Sequence, residues 1–238
     1  MKMNKKNKGF SLIELSIVLF VISTIICTMY FPYKNSIKQS KITYTKSNLE
    51  VVSNAIKEYA VVHKKLPCPS GIKFDNNSAN YGKELRNPNS CQESNEYGIL
   101  KKNDIFVGGV PFKDLGISDK YIFDAWNNNI IYVVSEKYIN DIYNDNNDTN
   151  ISVSFYTKHD SNIVDNLAYV LISNGPNQYG AVSKKGKTPI GKRKDSHFEE
   201  NNLFNKINGN INSKDYNNEK MDDIVIFSTV ENILFEIK

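Results

Sequence analysis

Residues 10–31 read FSLIELSIVLFVISTIICTMYF, an almost continuously apolar stretch that contains a single charged residue, Glu14. A helix of 22 residues rises about 33 Å at about 1.5 Å per residue, enough to cross the hydrocarbon core of a bilayer. The stretch is therefore predicted to span a membrane. Lys2, Lys5, Lys6 and Lys8 precede it, and the positive-inside bias of these residues predicts a cytoplasmic N-terminus and an exported C-terminal portion.

A secretory signal peptide and a plain membrane anchor are the two alternatives. Signal peptides end in small residues of the A-x-A kind, whereas this stretch ends in Thr28-Met29-Tyr30-Phe31-Pro32. A plain anchor does not explain Glu14, because a carboxylate costs about 2.5–3.5 kcal/mol at a bilayer centre, and less near an edge. Glu14 therefore points to a role beyond anchoring.

The residues from Lys8 to Leu15, KGFSLIEL, resemble the prepilin cleavage and methylation motif of type IV pilin-like proteins. The resemblance implies that a prepilin peptidase cuts after Gly9 and methylates the new N-terminal residue, Phe10. It also implies that the Glu14 carboxylate pairs with the N-terminus of a neighbouring subunit during assembly. Gly9 leaves the scissile backbone open, and the cut creates an ammonium group one helical turn from Glu14.

The chain is expected to have four parts. Residues 1–9 are the leader peptide, 10–31 the membrane-spanning and filament-core helix, 32–65 an amphipathic continuation of that helix, and 66–238 an exported globular domain. Loss of the leader leaves 26 basic and 26 acidic residues. Since the mature chain is formally neutral, its net charge gives no reason to expect general nucleic-acid binding.

A helical pattern resumes beyond Pro32, which should kink the helix. The mostly apolar positions recur at steps of three and four: Ile42, Thr45, Leu49, Val52, Ile56 and Tyr59. The positions predicted to form the polar surface include Lys46, Asn48, Lys57 and Glu58. Packing against a sheet is the favoured interpretation and a coiled-coil seam is the alternative. The prolines in Leu66-Pro67-Cys68-Pro69 should keep the helix from continuing.

The segment 70–103 is rich in Asn, Ser, Gly and Pro and is predicted to be a long loop. In an exported, oxidising compartment Cys68 and Cys91 can pair across it, which would add about 3 kcal/mol in the loop-entropy model. Two free thiols are the alternative, because connectivity cannot be proved from sequence. Cys27 lies in the membrane stretch and is expected to stay free.

Five later segments are rich in β-branched or aromatic residues and are predicted to be strands: residues 130–134, 151–156, 167–173, 224–228 and 233–237. A long helix followed by strands predicts an α+β fold in which the N-terminal helix packs on an antiparallel β-sheet, as in pilins.

The C-terminal half resembles the major pseudopilins of type II secretion, less specifically than the N-terminus resembles prepilins. Residues 123–132, FDAWNNNIIY, are similar to their D-x-W-G segment, with Asn127 where Gly is usual. Asn still forms turns and tolerates left-handed geometry. Residues 171–180, LISNGPNQYG, resemble their strand and following turn, and Met221-Asp222-Asp223-Ile224 resembles a D-D-I segment.

Some pseudopilins bind calcium in the loop before that segment, which makes Asp222 and Asp223 candidate Ca²⁺ ligands. The intervening loop, residues 181–220, is much longer here, so a solvated acidic turn is the favoured alternative. No other cofactor is expected. His63, His159 and His197 show no zinc-ligand spacing, and the chain has no nucleophile elbow or P-loop, so an enzyme is not expected.

Two functions are left open. The leading one is a structural, and minor, subunit of a type IV pilus or type II secretion pseudopilus, held in the bacterial inner membrane with its C-terminal domain in the periplasm and then built into a filament. Its partners would be the prepilin peptidase, other pilin subunits and the assembly platform. The alternative is a filament-tip binding module for DNA uptake or adhesion, which displays residues 68–91 and a basic loop, residues 184–194, within 181–220. A solvated loop is the simpler interpretation of those basic residues.

Overall fold

The computed structural model describes residues 11–74, 77–88, 90–143, 149, 151–156, 161–184, 207, 210–214 and 222–235. The chain divides into two compact units, Met1–Lys41 and Ile42–Lys238. The boundary falls inside the first helix, so the C-terminal part of that helix belongs to the same unit as the strands.

Helix α1 (Leu12–His63) is 52 residues long and continues through Pro32. It ends at His63, before the proline-containing segment that was expected to stop it. Within the second unit, the predicted face is buried from Thr45 to Tyr59, which confirms packing against a sheet. Asn48 was predicted to lie on the polar surface, but it is 2% exposed. Its buried amide is satisfied because Nδ2 donates a hydrogen bond of 2.8 Å to the carbonyl oxygen of Phe123.

The strands of the described chain are β1 Arg86–Asn87, β2 Ser90–Cys91, β3 Leu100–Lys102, β4 Ile105–Gly109, β5 Ile131–Ser135, β6 Ser152–Tyr156, β7 Ser161–Val164, β8 Leu167–Ser173, β9 Asn210–Lys214 and β10 Ile224–Thr229. The main sheet has five antiparallel strands in the order β10-β8-β5-β4-β3. The pair β1-β2 and a three-stranded sheet in the order β7-β6-β9 contain the other strands.

The two faces of the main sheet are buried by different elements. On one face, Leu49, Val52 and Ile56 of α1 share a core with alternating sheet residues such as Tyr132 and Tyr169. On the other face, the intervening residues of β4, β5 and β8 share a second core with β6 and β9. Alternate side chains of a strand point to opposite faces, which explains why these central strands are apolar throughout. The α+β prediction is confirmed, and the second core adds a third layer.

Two predictions of local structure fail. Residues 233–237 were expected to form a strand, but Val230–Phe235 is a short helix, α2. The hydroxyl oxygen of Thr229 accepts a hydrogen bond from the N–H of Asn232, which caps the start of this helix. Ile233 is fully buried in the first core, as its apolar character required.

The segment 70–103 is also more ordered than a long loop. It contains β1, β2 and β3, and the β1–β2 pair places Arg86 opposite Cys91. The next strand, β4, was not predicted at all, since its sequence ends in Gly108-Gly109. Glycine is needed there because a Cβ at Gly108 would stand 2.7 Å from the Cβ of Pro69.

Candidate functional site

The N-terminal half of α1 exposes its apolar side chains on all sides. Leu12 is 88% exposed and Phe20 71%, and no residue of the most apolar stretch is buried. A helix that is hydrophobic all round is suited to an apolar solvent. By length and composition, α1 is the one candidate for a membrane span in the described part of the chain, which is consistent with membrane anchoring.

Glu14 caps the N-terminus of this helix. Its Oε2 accepts a hydrogen bond of 2.9 Å from the backbone N–H of Ser11, and the Ser11 hydroxyl accepts one of 3.4 Å from the N–H of Ile13. Ser and Glu three residues apart form a capping box, which satisfies N–H groups that have no partner within the helix. The S-x-x-E spacing was readable from the sequence and was missed. Gly9 and Phe10 lie outside the described residues.

Cys68 and Cys91 form a disulfide, as predicted, and Cys27 carries an exposed free thiol. A half-buried ion pair that the sequence did not reveal reinforces this region: Arg86 lies 3.3 Å from Glu84. The Arg86 guanidinium donates to the carbonyl oxygens of Leu66 (2.9 Å) and Ile139 (2.7 Å).

Glu84 connects the same region to the end of α1. Its carboxylate accepts hydrogen bonds from the backbone N–H of Cys68 at 2.9 Å and from the Tyr59 hydroxyl at 3.3 Å. Burial, with the negative charge of Glu84 as the next cause, raises the pKa of Tyr59 to about 12. The phenol therefore stays neutral and remains a hydrogen-bond donor.

The D-x-W-like segment forms a tight turn around a buried carboxylate. Oδ1 of Asp124 accepts hydrogen bonds of 2.9 Å from the N–H groups of Trp126 and Asn128, and Oδ2 accepts one of 2.9 Å from the Ser173 hydroxyl. Asn127 adopts φ 63°, which confirms that Asn takes the left-handed position where the resembling proteins have Gly. Desolvation raises the pKa of Asp124, and its hydrogen bonds oppose that shift.

The two candidate calcium ligands lie beside the turn that follows β8. Asp222 accepts a hydrogen bond of 3.2 Å from the N–H of Asn177, and its carbonyl oxygen approaches Gly175 so closely that a Cβ there would clash. Asp223 is 3% exposed, so the favoured idea of a solvated acidic turn is wrong for this residue. Calcium takes six to eight oxygen ligands. Among the described residues, no group of three or more His, Cys, Asp or Glu side chains is placed to hold a metal ion.

Of the basic loop, Lys184 is the residue that the structure describes. The Nζ of Lys184 lies 4.6 Å from the centroid of the Phe123 ring, and its backbone N–H donates to the carbonyl oxygen of Asn127. Among the histidines, His63 stacks on Tyr59 at the end of α1, with ring centroids 4.0 Å apart, whereas His159 and His197 are not described.

One comparison with known proteins identifies a family feature. Residues 4–26 match the family model described as the prokaryotic N-terminal methylation motif, which covers Gly9, Phe10 and Glu14. No curated protein and no solved structure gives a significant match, so the resemblance of the C-terminal half to pseudopilins stays a resemblance. The motif implies, in general terms, processing by a prepilin peptidase and assembly with other pilin subunits. The N-terminal segment of this chain thus carries the methylation motif of type IV pilin-like proteins.

Proposed function

We propose that the chain is a structural, non-enzymatic and minor subunit of a type IV pilus or a type II secretion pseudopilus. The prepilin peptidase removes residues 1–9 and methylates Phe10. Before assembly, the mature subunit is anchored in the inner membrane with its C-terminal domain in the periplasm. The assembly platform then moves it into a filament, where the apolar half of α1 packs against other subunits.

The combination of the methylation motif with a fully exposed apolar helix carries this proposal. The motif ends at residue 26, inside the N-terminal half of α1, where no residue of the most apolar stretch is buried by the rest of the described chain. Such a surface has to be covered by lipid or by other helices. A subunit that exchanges lipid for neighbouring helices satisfies that requirement both before and after assembly.

Mass spectrometry of the mature N-terminus tests the processing step. In cells with an active prepilin peptidase we expect a chain that starts at N-methylated Phe10, and in cells without the peptidase a chain that retains the leader. Gly9→Val should block cleavage, because a branched side chain at the scissile position restricts the backbone. A chain that keeps its leader beside the active peptidase would overturn the proposal.

Subunit stoichiometry tests the assignment as a minor subunit. The long segment 181–220 supports a minor role, since closely repeated contacts between copies of an abundant subunit leave little room for a long insertion. We expect sheared filaments to contain few copies of this chain for each major subunit. A filament built chiefly from this chain would contradict the minor role but leave the processing step intact.

Calcium binding through Asp222 and Asp223 remains a separate proposal. Its test is the melting temperature of the full chain with and without added Ca²⁺, compared with an Asp222→Asn, Asp223→Asn variant. A calcium-dependent rise that the variant loses would support it, and an equal response of both proteins would exclude it.

A further inference from the structure

The part of α1 that follows the apolar stretch carries positive charge without any negative charge. No Asp or Glu occurs between Glu14 and Glu50. Lys34, Lys38 and Lys41 occupy positions i, i+4 and i+7, so they share one helical face, and all three are exposed. We name these three residues the basic stripe.

Two aromatic side chains and one aliphatic side chain lie beside the basic stripe. Tyr30, Tyr33 and Ile37 are exposed and spaced at i, i+3 and i+7, which places them on an adjacent face. Lys34 Nζ lies 5.3 Å from the centroid of the Tyr30 ring. Tyrosine is enriched where a membrane helix enters the headgroup region, because its ring prefers the apolar side and its hydroxyl the wet side.

Helical rise places the basic stripe at the membrane surface. If the hydrocarbon core ends near Phe31, Lys34 lies about 4 Å and Lys38 about 10 Å beyond it along the helix. The headgroup region is about 5–8 Å deep on each side, and lysine side chains can reach back toward it. Lys41 lies about 15 Å out, within about one Debye length of the headgroups at physiological ionic strength.

We propose that the basic stripe binds the headgroups of anionic phospholipids and so holds the mature subunit at the membrane surface before assembly. The inference rests on the proposed membrane-anchored function. Charge complementarity and continuity with the apolar helix favour a lipid surface over other anions, since a membrane anchor keeps these lysines beside headgroups at all times.

The basic stripe also bears on which end of the membrane helix faces the cytoplasm. The four leader lysines are balanced by Lys34, Lys38, Lys41 and Lys46 within 15 residues after Phe31. The positive-inside bias, which counts charges on both sides, therefore gives little preference by itself. Contact of the basic stripe with anionic lipid explains how Lys34, Lys38 and Lys41 are accommodated on the exported side.

The test uses the full-length chain in lipid nanodiscs that contain phosphatidylcholine with a minor fraction of phosphatidylglycerol. Native mass spectrometry counts the lipids that stay bound when the disc is removed. The test variant is Lys34→Gln, Lys38→Gln, Lys41→Gln. The matched control removes three exposed lysines of the second unit, as Lys64→Gln, Lys83→Gln, Lys120→Gln, so the change in net charge is the same.

We expect the wild type and the control to retain phosphatidylglycerol above its share of the disc, and high salt to reduce that enrichment. One lysine near an anionic surface is worth about fivefold in binding, so the test variant should lose at least about fivefold of the enrichment. The inference would be overturned if the wild type retained phosphatidylglycerol only in proportion to its share of the disc. It would also be overturned if the test and control variants lost the same amount of enrichment.

A short single-stranded DNA oligonucleotide, added to discs of phosphatidylcholine alone, tests the competing phosphate source. DNA binding that the test variant abolishes, in a chain that shows no lipid enrichment, would replace lipid by nucleic acid. A chain that does not enter discs at all would overturn both this inference and the proposed function. Loss of enrichment in an incorporated chain overturns this inference alone.

Discussion

Asp124 joins two segments of the second unit that are 49 residues apart in sequence. Its carboxylate is almost fully buried, and it accepts hydrogen bonds from the turn that follows it and from Ser173 at the end of β8. Removing the acceptor would leave several buried donors unsatisfied, at about 1–3 kcal/mol each. Asp124→Ala should therefore lower the free energy of unfolding by at least about 3 kcal/mol, measured by chemical denaturation of the full chain in detergent.

The same carboxylate predicts an unusual dependence of stability on pH. Because burial raises the pKa of Asp124 in the folded state, that state binds more protons than the unfolded chain above about pH 4. The contribution of Asp124 to the free energy of unfolding therefore falls as the pH rises through the raised pKa. Asp124→Asn does not titrate there.

We expect the advantage of the wild type over Asp124→Asn to shrink as the pH rises above about 4 and through the raised pKa of Asp124. Denaturation curves of both proteins over this range measure it, and Glu58→Gln, at an exposed position of α1, serves as the control. An advantage that grows with pH would show that the hydrogen bonds of Asp124 outweigh its burial.

At the level of elements, periodicity predicted what depends on burial alone. The face of α1 from Thr45 to Tyr59 was predicted with its observed partners because it has a helical period, and the strand at Leu167–Ser173 with its observed bounds because it is rich in β-branched and aromatic residues. α2 was missed because a short apolar run fits helix or strand equally well. The Thr229 cap, which favours a helix at this position, was not recognised in the sequence. The order within 70–103 was missed because it depends on a disulfide and on the contacts of Arg86, and neither leaves a periodic pattern in the sequence.

The disulfide and Glu84 restrain the same segment, so their contributions to stability should not add. Replacing Cys68 and Cys91 by Ser should cost about 3 kcal/mol in the loop-entropy model. Glu84→Ala should cost about 2 kcal/mol, because it removes the acceptor of the Cys68 N–H and the partner of Arg86.

A double-mutant cycle between these changes measures the coupling. We expect the combined variant to lose less stability than the separate losses together, since a segment already released by one change has little left to lose. Glu93→Gln, in the same segment but exposed, is the control. Strict additivity would mean that the ion pair and the disulfide hold independent parts of the structure.

At the scale of the whole molecule, Glu14 has two candidate roles, in helix capping and in subunit assembly. The family resemblance assigns its carboxylate to the N-terminus of a neighbouring subunit, whereas the structure shows it accepting the N–H of Ser11. Glutamine can serve in a capping box, but it carries no charge. Glu14→Gln therefore keeps the cap and removes the ion pair, and Glu14→Ala removes both.

We expect both variants to be cleaved after Gly9, because the peptidase acts at the junction between Gly9 and Phe10. Both should also be at least as stable in the membrane as the wild type, because they lack a charge that is costly to bury in lipid. Assembly should fail in both, since only a carboxylate attracts the Phe10 ammonium through a charge-assisted contact that lipid screens little. Copurification of each processed variant with the major subunit in sheared filaments measures this. Ser11→Ala, which weakens the cap and keeps the charge, should still copurify. If Glu14→Gln assembles like the wild type while Glu14→Ala does not, the carboxylate acts as a helix cap, and pairing with a neighbouring N-terminus would have to be abandoned.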